Sequence, residues 1–393
     1  MITSSLNLKT HFLEYRYIIY LAIASFFVIS KIYLYSFFVS EEDFSQINLF
    51  IMSVGFLSVL LTLGLNLRCH SVLPSLYKDK SIQFIREIDA VKTTIFISAS
   101  ILFVSVISIN LIFALSVVQG ALYSFFFIDQ IAIKSRFKMT QYALNNCVRN
   151  FLILVFGLLG GLLFENSISI IWFEILGCFI LSVFSRNISF KFYRGVFSHV
   201  KRNFSFLLVT LSGLVVLYLE RMVAYTVLDE KDFALFSYFY ILVVAAMTAQ
   251  QFINTRFIAE VSVNKNILSS FEQAKNRSIL MFLVCICLLV ILIIPLSYND
   301  LYFSDVDIYL LAFFIVLGAL KGTDFFQTVF VVFNQRLKIF FLQTLYLVLM
   351  VLGYVYFRTN GVELLDLLVF YILSYVVYLS GSIFLLRRSC ENS

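Results

Sequence analysis

The chain has 393 residues, 61% of them hydrophobic and only 13% charged, with a formal net charge of +6. A water-soluble domain is roughly 45–50% apolar and about 25% charged, so this chain cannot cover itself with a polar surface. Its 46 Phe, 22 Tyr and only 2 Pro exclude a disordered, collagen-like or disulfide-rich secreted chain and fit an all-α integral membrane protein with aromatic-ended helices.

A bilayer core of about 30 Å takes roughly 20 apolar residues per helix. Windows of that length predict spans at 17–39, 44–66, 93–109, 111–133, 144–164, 168–185, 204–228, 233–255, 278–297, 308–333, 339–357 and 364–386. This is a set of about twelve helices, two of which meet almost without a loop at Asn110. The first run follows Lys9, His11 and Arg16 and is too long for the apolar part of a signal peptide, so it is expected to stay in the mature chain. Between spans two and three, Ile82, Ile85 and Ile88 recur every third residue among charges, the pattern of a helix lying on a membrane surface.

Loop charges set the orientation, because cytoplasmic loops carry the excess of Lys and Arg. With both termini in the cytoplasm, 24 bases fall on that side and only Lys231 and Arg358 on the other. Lys31, Arg221 and Lys321 lie inside spans and complete the 29. The positive charge therefore follows topology and the anionic inner leaflet, not nucleic-acid binding. The external loops are short and acidic, with Glu41, Glu42 and Asp43, Glu165, Asp229, Glu230 and Asp232, Asp300, Asp305 and Asp307, and Glu363 and Asp366, which leaves no room there for a catalytic domain.

An internal repeat divides the chain. SEEDFSQINLF from Ser40 and DEKDFALFSYF from Asp229 align at an offset of 189 residues, with Glu41 on Glu230, Asp43 on Asp232 and Phe44 on Phe233. Both copies sit between the first and second helix of a six-helix half. The expected lobes are 1–200 and 201–393, and because six is even they share one orientation and are related by a pseudo-twofold axis along the membrane normal, an architecture suited to alternating access.

A charge at a helix centre costs roughly 2.5–3.5 kcal/mol on insertion scales, so each one needs a partner or a wet cavity. The candidates are Lys31, Glu174, Glu220, Arg221, Lys321 and Asp324. Lys321 and Asp324 are three apart on a helix and either neutralise one another or line a cavity. Lys31 and Glu220 each lie twelve residues before the aligned acid, Asp43 or Asp232, which puts Lys31 and the Glu220/Arg221 pair at matching depth. Either Lys31 and Arg221 serve a shared anion site or their long side chains reach back to the interface. Glu174 reads as solvated near an outer helix end, and Asp129 as an edge charge. Gln250, Gln251 and Asn254 either line a cavity or bond between helices, while Gly157 with Gly161 and Gly318 with Gly322 have the spacing of helix-packing glycines.

Cys285 and Cys287 lie about 200° apart around a helix, and no Cys/His set has metal-ligand spacing. Nucleophile–base sets, phosphate-binding glycine loops and dinucleotide loops are absent, and His11, His70 and His199 have no acidic cluster, so the sequence suggests neither enzyme nor cofactor.

The first span with its internal base, SEEDFSQINLF, the second span ending LTLGLNLR, and ERMVAYTVLDEKDFALFSYF in the second half together resemble Wzx-type polysaccharide flippases of the multidrug/oligosaccharidyl-lipid/polysaccharide (MOP) exporter superfamily. The resemblance implies a transporter for an undecaprenyl-diphosphate-linked oligosaccharide in O-antigen or related polysaccharide biosynthesis, in a bacterial inner membrane. It implies as partners the lipid-linked substrate, membrane lipids and other polysaccharide-assembly proteins. It also implies that cationic cavity residues meet the diphosphate, here Lys31, Arg221 and Lys321, with Glu220, Asp324 and Glu174 as coupling or charge partners. The alternatives are a polysaccharide polymerase or ligase, which would usually need a large external loop with arginines, and a drug or cation exporter of the same superfamily, which would favour buried acids.

Overall fold

The computed structural model describes residues 3–79, 81–136, 138–185, 188, 190–264, 266–299, 306–333 and 335–391. Lys80, Arg186, Lys265, Asp300 and Asp305 lie outside the described residues, as do the side chains of Lys9, His11, His70, Lys78, Arg256 and Arg336. Among the described residues there are helices and no strands. They are α1 Thr3–Tyr35, α2 Glu41–Leu60, α3 Leu65–Asp79, α4 Ser81–Val106, α5 Leu111–Ser135, α6 Met139–Phe164, α7 Ser167–Phe184, α8 Val196–Arg202, α9 Phe204–Val227, α10 Glu230–Asn264, α11 Ile267–Leu296, α12 Ile308–Lys321, α13 Phe326–Val332, α14 Arg336–Asn360 and α15 Leu364–Glu391.

Among the described residues eleven segments are long and apolar enough to cross a bilayer, and α9 supplies a twelfth if its two stretches, which meet at 47°, form one span. The chain divides into two compact units, Met1–Leu211 and Ser212–Ser393, so the division falls within α9 and not at residue 200. In the first unit α1 packs on α6, α6 on α7, and α5 on both α2 and α4. In the second, α12 packs on α10, α11 and α15, and α14 on α15.

Local chemistry explains where helices begin. A capping side chain satisfies one of the N–H groups left over in a first turn. Asn110 accepts from Phe113 N at 2.9 Å and so separates α4 from α5 with almost no loop. At the aligned repeat positions the same cap recurs: Ser40 Oγ accepts from Asp43 N at 3.3 Å, and Asp229 Oδ1 accepts from Asp232 N at 2.7 Å. The acids that follow each cap lie near the positive end of the helix dipole. Asp43 also ties down a second helix, since its carboxylate accepts from Ser167 N at 3.0 Å at the start of α7.

Two expectations need correction. The second span does not run to residue 66, because α2 ends at Leu60 and turns through Leu63 (φ 48°) and Gly64 (φ 79°). A Cβ at Gly64 would stand 2.5 Å from the Phe206–Leu207 backbone, so both its conformation and that close approach require glycine. The isoleucine-patterned stretch is not a separate surface helix either. Ile82, Ile85 and Ile88 occupy the opening turns of α4 itself, with Ile82 75% and Ile85 55% exposed and Ile88 packed inward.

The interior of the first unit is apolar, built from residues such as Leu57, Val117 and Ile128 of α2 and α5, and Ile171 and Ile175 of α7. In the second unit Phe233, Phe236, Phe239 and Tyr240 line the buried side of α10 and meet Phe314 and Tyr371. Large apolar residues also face outward along α11, including Ile279, Leu283, Val290 and Ile294. Water would penalise such a surface, whereas lipid accepts it.

Candidate functional site: buried charge networks in each lobe

In the N-terminal lobe, Lys31 and Tyr35 lie one helical turn apart on the same face of α1. Lys31 Nζ stands 3.0 Å from Glu174 Oε1 and 3.1 Å from Oε2, and Tyr35 donates to Oε1 at 2.8 Å. Gln119 Nε2 on α5 donates to Oε2 at 3.1 Å. Glu174 is 1% exposed, so it is a buried charge held by three donors and not the solvated edge group expected for it. The expectation fails because α7 turns this face inward against α5 and α6, where Gly157 leaves room for Tyr35 and Glu174.

In the C-terminal lobe, Lys321 Nζ lies 2.8 Å from Glu220 Oε2. The Glu220 carboxylate also accepts from Tyr346 and, at 3.3 Å, from Tyr240, while its backbone carbonyl accepts from Tyr371 at 2.6 Å. Glu220 is fully buried. The expected Lys321–Asp324 pair does not form. α12 ends at Lys321 and the chain breaks through Gly322–Phe325 before α13, so the helical three-residue spacing no longer applies. Asp324 instead accepts from Gln327 N at 3.3 Å, while Gln250 donates to its backbone carbonyl at 2.6 Å. Asn254 accepts from Thr328 at 2.7 Å, so one member of the polar cluster on α10 bonds to α13 and Gln250 bonds to the break before it.

A third pair joins Lys92 to Asp129, the expected edge charge, at 2.8 Å. Lys92 is 3% exposed. His199 also has an acid beside it after all, with Nε2 at 3.3 Å from Glu87.

Three lysines are thus neutralised within their own lobes, and the two arginines buried among the described residues are not. Arg149 on α6 sits over Tyr123, Phe126 and Phe127 at 4.8–5.1 Å. Its Nε and Nη2 share the Asn150 carbonyl at 3.0 and 2.8 Å, and Nη1 has no hydrogen-bond partner. Arg221 lies 5.3 Å over the Tyr240 ring, and its Nε has no partner. Neither makes an ion pair among the described residues. Arg149 was counted with the cytoplasmic loops, although it falls five residues inside the 144–164 span; that position was the available signal. Gln119 and Tyr346 carried none, because uncharged polar residues in a span look like packing.

A cation held against aromatic faces is stabilised without being discharged, so it stays available to an anion. Among the described residues no group of three or more His, Cys, Asp or Glu could hold a metal ion. Cys69 is buried outside the spans, and burial pushes its thiol up to about 12, so it is not a ready nucleophile at neutral pH.

Neither a protein-family model nor a curated protein matches the sequence. Solved structures do match in shape. An outward-facing multidrug resistance MATE family transporter of the MOP superfamily aligns with a TM-score of 0.60 over 96% of this chain and 96% of its own, at 13% identity. An inward-facing one aligns with a TM-score of 0.54 over 94% and 95%, at 14% identity. The lipid II flippase MurJ, in an inward closed conformation, gives 0.69 over 94% of this chain and 87% of its own, at 12% identity. This chain shares their all-helical, two-lobed fold, with eleven to twelve candidate spans among the described residues.

Proposed function

We propose that this protein translocates an undecaprenyl-diphosphate-linked oligosaccharide across the bacterial cytoplasmic membrane by alternating access, with both termini cytoplasmic. The observation that carries the reading is the charge left over in the spans. Once Lys31, Lys92 and Lys321 are paired with Glu174, Asp129 and Glu220, Arg149 and Arg221 remain, each stacked on aromatic rings with one guanidinium nitrogen unsatisfied. Burying an uncompensated cation is costly, and a passing diphosphate offers the compensation that the fold does not. On this reading each lobe offers the diphosphate one arginine, Arg149 in the first and Arg221 in the second. Lys31 and Lys321, the other cationic candidates, act with Glu174 and Glu220 to hold each lobe rigid.

Asp324 favours a second reading. It is 9% exposed and has no base beside it among the described residues, which suits an exporter of cations, and multidrug resistance transporters share the fold. An unpaired buried arginine in each lobe, against one such acid, weights the reading toward an anionic cargo. The test is the leaflet location of lipid-linked sugar units in a strain lacking the protein. Single units trapped in the inner leaflet support the flippase; unpolymerised units in the outer leaflet indicate a polymerase defect instead, and unchanged intermediates oppose any role in that transfer.

A further inference from the structure

At the end of the N-terminal lobe that carries its basic loops, a cleft of about 280 Å³ opens between α3, α4 and the segment leading into α8. Its polar lining is Arg68, Gln83, Arg86, Glu87, Tyr193 and His199. The wall is fixed. Arg68 bonds Glu87 through Nε and Nη2 at 3.2 and 3.0 Å and Asn203 through Nη1 at 2.7 Å. Tyr193 is tethered by its backbone N–H to Thr93 at 3.0 Å, and Lys191 N donates to Asp89 at 3.2 Å, so the 191–193 segment lies along α4.

Arg68 holds the Glu87 carboxylate through two hydrogen bonds, so the one acid in the lining is already compensated. Arg86 is left over: it is exposed and has no hydrogen-bond or ion-pair partner among the described residues. His199 Nε2 is enclosed and, although near Glu87, lacks hydrogen-bond geometry to any acceptor. The cleft therefore offers a net positive charge and spare donors.

Its rim identifies the occupant. Ile82 and Ile85 are exposed on the opening turns of α4, Phe192 is 61% and Phe197 79% exposed in the segment leading into α8 and in α8 itself, and Lys191, Arg194, Lys201 and Arg202 are exposed in that same stretch. Large apolar side chains interleaved with bases, on a helix that continues directly into a span, mark the depth at which lipid headgroups lie. We infer that this cleft binds the headgroup phosphate of an anionic glycerophospholipid, with Arg86 meeting the charge, Gln83 and Tyr193 taking headgroup hydroxyls, and the acyl chains running past Ile82 and Ile85. The site belongs to resident lipid, independent of any cargo.

The test uses full-length protein in uncharged detergent, titrated with phosphatidylglycerol, phosphatidylcholine or inorganic diphosphate while the unfolding midpoint is followed. A ligand that binds only the native state raises that midpoint with concentration. Phosphatidylglycerol is expected to stabilise the wild type, and Arg86→Glu to need at least about tenfold more lipid for the same shift, while Arg358→Glu, far along the sequence in the other lobe, stays within about twofold of wild type. Arg86 is exposed, so its replacement leaves the fold intact. Equal stabilisation by phosphatidylcholine, an unchanged response in Arg86→Glu, or an equal shift with inorganic diphosphate would each overturn the assignment.

Discussion

Lys31 and Glu220 occupy the same register position on the first helices of the two lobes, twelve residues before Asp43 and Asp232, yet carry opposite charges. Each is cancelled inside its own lobe, Lys31 by Glu174 at 3.0 Å and Glu220 by Lys321 at 2.8 Å. In this alignment the two lobes hold buried charges of opposite sign, each paired with a residue on another helix of its own lobe. Removing one member of a buried pair strands the other, at about 3–5 kcal/mol. Glu174→Gln is expected to cost on that order, and Lys31→Met combined with Glu174→Gln to recover at least half of it. Unfolding midpoints in detergent check this; a double variant no better than the single one would mean that the pair is not what the substitution breaks.

Gly157 and Gly161 share one spacing motif but not one environment. A Cβ at Gly157 would stand 1.7 Å from the Tyr35 hydroxyl, whereas at Gly161 the nearest atoms are side-chain carbons at 3.4 Å. Replacing helical Gly by Ala gains up to about 1 kcal/mol of propensity where space allows. Gly161→Ala is accordingly expected to be neutral or stabilising. Gly157→Ala should lose about 1–3 kcal/mol by displacing Tyr35 from Glu174. The two midpoints moving in the same direction would contradict the geometry.

The span pattern was legible because a bilayer imposes a length and a polarity that one window reads, and capping residues such as Asn110 fixed boundaries even where loops vanish. The partners of the charges were not legible. Lys31 and Glu174 are 143 residues apart, and no periodicity links them. Whether Lys321 and Asp324 pair could not be read from their spacing, because the window does not see that the helix stops at Gly322. Arg149 was lost for a related reason: positive charge near a span end reads as loop, and only packing against Tyr123, Phe126 and Phe127 shows it to be inside.

The tyrosines around Glu220 are expected to differ in weight. Tyr346 donates to the charged carboxylate and Tyr371 to the neutral backbone carbonyl. Hydrogen bonds to charged groups are worth about 1.5–3 kcal/mol, and neutral ones about 0.5–1.5. Tyr346→Phe should therefore lower the unfolding midpoint more than Tyr371→Phe. The reverse order would place the charge of the Lys321–Glu220 pair elsewhere.

Orientation is testable by labelling single cysteines from outside intact cells. Ser40, Asp229 and Ser198 are all exposed at helix ends or loops. With both termini cytoplasmic, Ser40→Cys and Asp229→Cys react with an impermeant maleimide, while Ser198→Cys reacts only after permeabilisation. External labelling at Ser198→Cys would invert the topology.

The central claim is that the unpaired arginines serve an anionic, lipid-linked cargo, and reconstitution tests it most directly. Purified protein in proteoliposomes, supplied with a fluorescent undecaprenyl-diphosphate oligosaccharide, is scored by the fraction of label that crosses to the opposite leaflet. The account predicts crossing by the wild type, a loss of at least about tenfold, equivalent to about 1.4 kcal/mol, in Arg149→Ala and in Arg221→Ala, and partial retention in Arg149→Lys, which keeps the charge without the fork. Wild-type protein that leaves this lipid in place but moves an organic cation, or alanine variants that transfer the lipid at the wild-type rate, would contradict it.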